Sequence, residues 1–177
     1  MIVMGAGKTA LVTGALGVLG KAIVTALLED GFRTVLVDLD QKKLDEYSRS
    51  LPLGRSLPVA CDISAPAAVD AAVKQIREHW GSVDVLVNNA GILSNNKAVQ
   101  TAPDEWKRVL AVNLDGAFYL SRAFMEEMKR KRWGRIVNIT SLAAKTGGIT
   151  AGTAYSVSKG ALIALTFSLA AELAPSA

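Results

Sequence analysis

One cysteine, Cys61, and one histidine, His79, are all that this 177-residue chain contains of either type. A lone cysteine cannot build a disulfide framework, and no Cys or His spacing resembles a metal site, so no metal is expected. The same scarcity fits a reducing, cytoplasmic setting. Residues 1–7 are too few for a signal peptide. The longest apolar stretch, 161–171, is interrupted by Thr166 and Ser168 and falls short of a bilayer span, so a soluble chain with no membrane partner is expected. The formal charge of +4 invites a nucleic-acid reading, with the densest basic cluster at Lys129, Arg130, Lys131, Arg132 and Arg135 around Trp133. That cluster closes a helical pattern, where cations complement the helix dipole and stay solvated. It has neither interleaved aromatics nor a recognised binding motif, so no nucleic acid is expected.

The apolar content, 50% of the chain, is enough for one compact domain over 1–177 and its core. Short β-branched runs alternate with longer stretches of helical period. Strands are expected at 9–13, 34–38, around 58–62, at 83–88 and at 135–140. The helices fall at 17–30, closed by Gly31, at 41 to about 50, and from a start at Ser64 and Pro66 to Trp80. Two longer ones follow, 101–131, opened by a Thr101–Asp104 capping box, and 153–174, ended by Pro175. Nearly all-apolar strands alternating with helices imply an α/β fold, a doubly wound parallel sheet covered on both faces. The segments 94–101 and 143–152 read as sizeable loops. Both follow carboxyl ends of strands, where ligands bind in such sheets.

The first strand runs straight into Thr13-Gly14-Ala15-Leu16-Gly17-Val18-Leu19-Gly20 and then a helix. Glycines permit a tight turn and close approach, and amides at the helix start can hold a pyrophosphate. A competing match at Gly7, Lys8 and Thr9 fails as a nucleoside-triphosphate loop, because its first glycine would fall at Ile2 and it precedes the strand. Asp38 ends the second strand, eighteen residues after Gly20. Its carboxylate can accept hydrogen bonds from an adenosine ribose and would repel a 2′-phosphate. Leu39, Leu16 and Gly17 supply no compensating cation, so NAD is favoured over NADP.

Tyr155 and Lys159 stand at i and i+4 of the last helix, on one face. A free tyrosine loses its proton only near pH ~10. An adjacent cation favours the phenolate, and such a pair can move a proton to or from a carbonyl or alcohol oxygen. Taken alone the spacing is also compatible with an exposed helix face.

With these elements placed, the chain resembles the short-chain dehydrogenases/reductases from about residue 7 to its last residue. Asn88-Asn89-Ala90-Gly91 matches the family's segment after the fourth strand, and Asp62-Ile63 matches the pair that contacts adenine. Asn113, within Val112-Asn113-Leu114-Asp115-Gly116, matches the helix asparagine of the catalytic tetrad. Ser141 matches its serine, fourteen residues ahead of Tyr155. The resemblance implies a Rossmann fold in which Gly14, Gly17, Val18, Leu19, Gly20, Asp38, Leu39, Asp62, Ile63, Asn89, Ala90 and Gly91 hold the dinucleotide, with Tyr155 and Lys159. It gives Tyr155 the acid–base role and has Lys159 lower the tyrosine's pKa and bond the nicotinamide ribose. It has Ser141 bind the substrate oxygen and Asn113 hold a water in a proton relay. The nicotinamide itself carries the hydride.

Two features depart from the family pattern. Its middle loop glycine would occupy position 18, where this chain has Val18 and places the glycine at Gly17. Family members also continue beyond the catalytic helix into a sixth strand, a Pro-Gly turn, a substrate lid and a final helix and strand. The chain is therefore expected to be the larger part of a longer enzyme, with 135–140 as an exposed apolar edge. The expected activity is NAD-dependent interconversion of a secondary alcohol and a ketone, by a homodimer or homotetramer formed through 101–131 and 153–174. A dinucleotide-binding module without turnover and an interaction subunit are the alternatives. Polyols and sugars, 3-oxoacyl thioesters and steroids all remain open as small-molecule substrates.

Overall fold

The β-branched runs fold as five parallel strands in a computed structural model that describes residues 5–174. These are β1 (Thr9–Thr13), β2 (Arg33–Asp38), β3 (Ser56–Ala60), β4 (Val85–Asn88) and β5 (Arg135–Asn138), in the spatial order β3-β2-β1-β4-β5. β1 is buried at every position and pairs with both β2 and β4. The strand order reverses there, which opens a crevice beyond the carboxyl ends of β1 and β4.

Helices α1 (Val18–Glu29) and α2 (Gln41–Arg49) cover one face of the sheet. Val24 and Leu44 pack there with Ala10, Val12, Leu36, Val85 and Val87. On the other face, α3 (Pro66–Trp80) and α5 (Gly116–Lys131) bring Val73, Ile76, Leu120 and Phe124 against Leu11, Val35, Val59 and Leu86. This alternation of neighbouring strand residues between two cores is what a doubly wound sheet requires. Gly31, at φ +90°, turns the chain out of α1 and into β2.

Several boundaries differ from the sequence expectation. β3 begins two residues early because its register with β2 pairs Thr34 with Ser56 and Asp38 with Ala60, leaving Asp62 outside the sheet. Pro58 is accommodated because β3 is an edge strand. β4 starts at Val85, since Asp84 instead accepts the Thr9 amide at 2.9 Å and pairs with Lys131 at 2.8 Å. Ser64 does not open α3; its hydroxyl and amide both bond to the Asp62 carboxylate.

The expected helix 101–131 is broken into α4 (Pro103–Leu110), a π-helical turn (Ala111–Asp115) and α5. No capping box forms, because the Thr101 hydroxyl donates to the Asn96 and Lys97 carbonyls and Ala102 precedes Pro103 uncapped. The loops also contain a short 3₁₀ turn (Ala98–Gln100) and one helical turn, α6 (Ala143–Thr146). The last helix, α7 (Thr153–Leu173), packs against α4, the π-helical turn, α5 and β5. By length and composition it is long and apolar enough to cross a bilayer, which the sequence reading did not expect. Residues 1–4, part of the segment judged too short for a signal peptide, and Pro175, expected to end the last helix, lie outside the described residues.

β5 ends at Asn138 and is an edge, as anticipated, instead of a buried strand. Ile136 and Asn138 turn toward α5 and α7. Val137 points to the face that α1 and α2 cover over the neighbouring strands, and there it is 44% exposed. On the opposite face of β5 a groove of about 220 Å³ runs between Ile136, Met128, Leu169 and Leu173.

Candidate functional site

The β1–α1 junction is built by glycine. Gly14 adopts φ +65°, and a Cβ at Gly20 would overlap the Gly14 carbonyl oxygen, so the loop folds back onto the first turn of α1. That turn has Gly17 at its N-cap, no side-chain cap and no acidic residue. Its first amides point outward without intrahelical acceptors, the arrangement that receives an anion. Gly17 Cβ space is ordinary and position 18 is exposed, so the valine faces solvent without closing the loop.

Thr13 is the keystone of this region and was missed as a site residue, although it directly precedes Gly14. Its buried hydroxyl accepts the Asn89 and Ala90 amides at 3.0 and 2.9 Å. Asn89 Nδ2 in turn donates to the Thr13 and Gly14 carbonyls at 2.9 and 3.2 Å. Asn89 thus bolts the loop after β4 to the loop after β1. Asn88 points the other way, donating to Asn138 and Ser121 and tying β4 to β5 and α5.

Between these loops lies a cleft of about 630 Å³ lined by Gly14, Gly17, Asp38, Leu39, Asp62, Ile63, Asn89, Ala90 and Gly91, among others. Asp38 Oδ2 accepts the Leu16 amide at 3.0 Å and Oδ1 the Leu39 amide at 2.8 Å, which fixes the carboxylate at the cleft rim. Lys43, the one cation on the lining among the described residues, pairs with Asp40 at 3.1 Å. Asp62 Oδ1 is occupied by Ser64 at 2.6 Å, while the Ile63 side chain packs where a Cβ on Gly116 would fall. Ile63 therefore offers the cleft little of its side chain.

Cys61 also lines the cleft. Burial, helped by the Asp62 charge, pushes its thiol up to about 11. Since thiolate is the reactive form, native Cys61 should alkylate with iodoacetamide about 100-fold more slowly than an ordinary thiol near neutral pH. Mass spectrometry checks this against the unfolded chain.

Past Gly91 the cleft gives way to the residues expected to form the tetrad. A Cβ on Gly91 would stand 3.2 Å from Asn113 Oδ1 and 3.3 Å from Lys159 Nζ, so these two groups converge over Gly91, where a side chain would press on both. Asn113 sits in the π-helical turn, a distortion frequent at functional sites. Its Oδ1 accepts the Ile92 amide at 2.8 Å, and Nδ2 donates to Ile92 O and Ser158 Oγ, both at 3.0 Å. Both amide hydrogens are spent. A water held by this side chain would have only the second lone pair of Oδ1.

Lys159 is 4% exposed, its ammonium donating to Ile139 O at 2.8 Å and standing 5.9 Å from the Tyr155 ring centroid. Thr140 Oγ1 closes the same joint from below, donating to Lys159 O at 2.7 Å. Ser141 follows directly, its hydroxyl accepting the Ala143 amide at 3.2 Å where α6 begins. Tyr155, Lys159 and Ser141 thus come from one α7–β5 joint, and Asn113 reaches it from the turn before α5.

Burial holds the Lys159 pKa below its ordinary 10.5. Between its folded and unfolded pKa values the unfolded chain binds more protons, so stability rises with pH through that window; below it the cost of burying the ammonium is constant. Lys159→Met should remove this slope. Thermal melts of both proteins across the alkaline range, compared as a difference, measure it.

A parallel sheet with a glycine turn, an uncapped helix start and a cleft at its switch point defines a dinucleotide-binding α/β protein. The sequence profile of the short chain dehydrogenases matches residues 8–177, and the chain belongs to that family. Against a 3-oxoacyl-[acyl-carrier-protein] reductase of Salmonella typhimurium it is 37% identical, over 95% of this chain and 68% of that protein. It is 32% identical to the meso-2,3-butanediol dehydrogenase of Serratia marcescens, over 93% of this chain and 65% of the relative. The crystal structure of a metagenomic short-chain oxidoreductase in complex with NADP superposes with a TM-score of 0.90 at 37% identity, covering 97% of this chain and 77% of that one. The chain therefore spans about two thirds of the length of these curated relatives.

Proposed function

We propose that this protein is an NAD-dependent oxidoreductase that interconverts a secondary alcohol and a ketone. The observation that carries the reading is the convergence of Lys159 and Asn113 over Gly91, beside Tyr155 and at the end of the dinucleotide cleft. The cleft fits the cofactor on its own terms: unpaired amides at the start of α1 for a pyrophosphate, and a fixed carboxylate, Asp38, for a ribose diol. When bound, the nicotinamide supplies hydride exchange with the substrate carbon.

The chain's own residues supply position and proton handling. In oxidation Tyr155 removes the hydroxyl proton, and in reduction it returns one to the carbonyl oxygen. The Lys159 ammonium would stabilise the negative charge left on the phenol oxygen, and with one N–H donated to Ile139 O it keeps donors that could hold the nicotinamide ribose. Ser141 donates to the substrate oxygen. Asn113 clamps the Ile92 backbone, next to Gly91, through both its amide N–H and its carbonyl.

Incubation with NAD and a panel of secondary alcohols, followed by NADH fluorescence, tests the proposal. Absence of turnover with every member would overturn it. A second reading, binding without turnover, is favoured by the separation of parts: the cleft lining includes none of Ser141, Tyr155 or Lys159. It predicts NADH binding by titration and no product.

Self-association is part of the proposal. The outer faces of α5 and α7 expose Phe118, Val157 and Phe167, apolar side chains that a second copy would cover. Phe167→Glu is expected to move the sedimentation coefficient toward that of a monomer while leaving NADH affinity unchanged. An unaltered coefficient would place the interface elsewhere.

A further inference from the structure

Ser158 lies in the interior of α7 at 0% exposed, a place where alanine would serve the helix at least as well. What distinguishes the serine is its hydroxyl and the two partners it finds. It donates to Tyr155 O at 2.7 Å and accepts from Asn113 Nδ2 at 3.0 Å. Tyr155 and Lys159 flank Ser158 on α7, whereas Asn113 stands in the π-helical turn ahead of α5. Among the described residues, the bond from Asn113 to Ser158 is the one side-chain hydrogen bond that joins these two elements. Their other anchors diverge: Asn113 bonds to Ile92 in the loop after β4, and the Lys159 ammonium to Ile139 O in the loop after β5. Apart from packing, Ser158 is what registers one half of the site against the other.

The bond also has a direction. A serine hydroxyl carries one proton and two lone pairs. With the proton spent on Tyr155 O, Ser158 offers Asn113 only a lone pair, which accepts the side-chain NH2 and repels the side-chain carbonyl. Ile92 imposes the same choice through its amide and its carbonyl. Oδ1 of Asn113 is thereby held toward Gly91, which the Lys159 ammonium also borders. Turned over, the Asn113 amide would set its NH2 against the Ile92 amide and its oxygen against the Ile92 carbonyl, and Ser158 would have to leave Tyr155 O to bond it. At 1% exposed, Asn113 is too buried for bulk water to repair such losses.

We propose that Ser158 is a positioning residue for the proton chemistry, which registers Asn113 against Tyr155 and Lys159 and holds the Asn113 side-chain oxygen toward the ammonium. The inference rests on the oxidoreductase reading above. Its test is oxidation with NAD of whichever of butan-2-ol, 1-phenylethanol and meso-2,3-butanediol the parent turns over fastest, in the parent, Ser158→Ala and Ser158→Thr, and in Ser158→Ala combined with Asn113→Ala. Ser158→Ala should lower kcat about tenfold, the scale of a small misplacement of reacting groups, with the alcohol KM and NADH affinity unchanged. Ser158→Thr keeps the hydroxyl and should recover most of that loss. Beside Asn113→Ala, where the partner is already gone, Ser158→Ala should cost less than about twofold. Hydrogen exchange at the Ile92 amide, which Asn113 Oδ1 accepts, should quicken about tenfold in Ser158→Ala.

A parental kcat in Ser158→Ala, a loss that persists in full beside Asn113→Ala, or unchanged exchange at Ile92 would overturn the positioning role and leave the oxidoreductase reading intact. If the parent oxidises none of the alcohols, both readings fall together.

Discussion

Tyr155→Phe is expected to lower kcat by about 10²–10⁴-fold, the range that general acid–base catalysis supplies, with NADH affinity nearly unchanged. The substitution removes one hydroxyl from a ring that is only partly buried, so packing against α7 and its neighbours is retained. What disappears is the phenol hydroxyl of the ring that stands 5.9 Å from the Lys159 ammonium, the group proposed to carry the proton. The lining of the cleft proposed for the dinucleotide does not include Tyr155, so binding and turnover are expected to separate. Steady-state kinetics with a secondary alcohol, combined with NADH fluorescence titration, checks both halves. A parallel loss of affinity would mean that Tyr155 supports the cofactor pocket itself.

Asp38→Asn should produce the second large effect, a shift of the NAD to NADP preference by about 100-fold toward NADP, from like-charge repulsion of several kcal/mol at a wrong partner. The carboxylate is immobilised at the rim by two backbone amides, from Leu16 and Leu39, and so cannot swing away from a 2′-phosphate. Among the described residues, the one cation lining the cleft, Lys43, is paired with Asp40. An asparagine keeps the shape and one acceptor and removes the charge. Ratios of kcat/KM for the two dinucleotides measure the shift; a parent that already prefers NADP, the cofactor seen with the metagenomic relative, would contradict the assignment.

Much of this was legible in the sequence, for identifiable reasons. β1 and β2 are continuous apolar runs, so their positions were set within a residue, and Thr13 to Gly20 announced the turn that follows. The strand–helix alternation carried the doubly wound class. What local pattern does not encode is register: β3 slid two residues because Asp38 pairs with Ala60, a contact between distant segments. The break at Asn113 was equally hidden. Its residues continue a helical period, and the π-helical turn exists because Asn113 must meet both Ile92 and Ser158.

Within the site, residue identity was readable and contacts were not. Gly91 looked like one more cofactor glycine; its reason is the space shared by Asn113 and Lys159. Asn89 was read as a cofactor residue and proves to have its amide committed to Thr13 and Gly14. Nothing at Ser158 marked it in the sequence, because its partner Asn113 stands 45 residues away.

The most direct test of the central claim is isotope transfer. The protein is incubated with NAD and a secondary alcohol carrying deuterium on the carbinol carbon, and the dinucleotide is weighed by mass spectrometry. NADH heavier by one deuterium, formed by the parent and not by Tyr155→Phe, is the predicted result. Bound NAD that never acquires the label, across apolar and polar alcohols alike, would contradict the account.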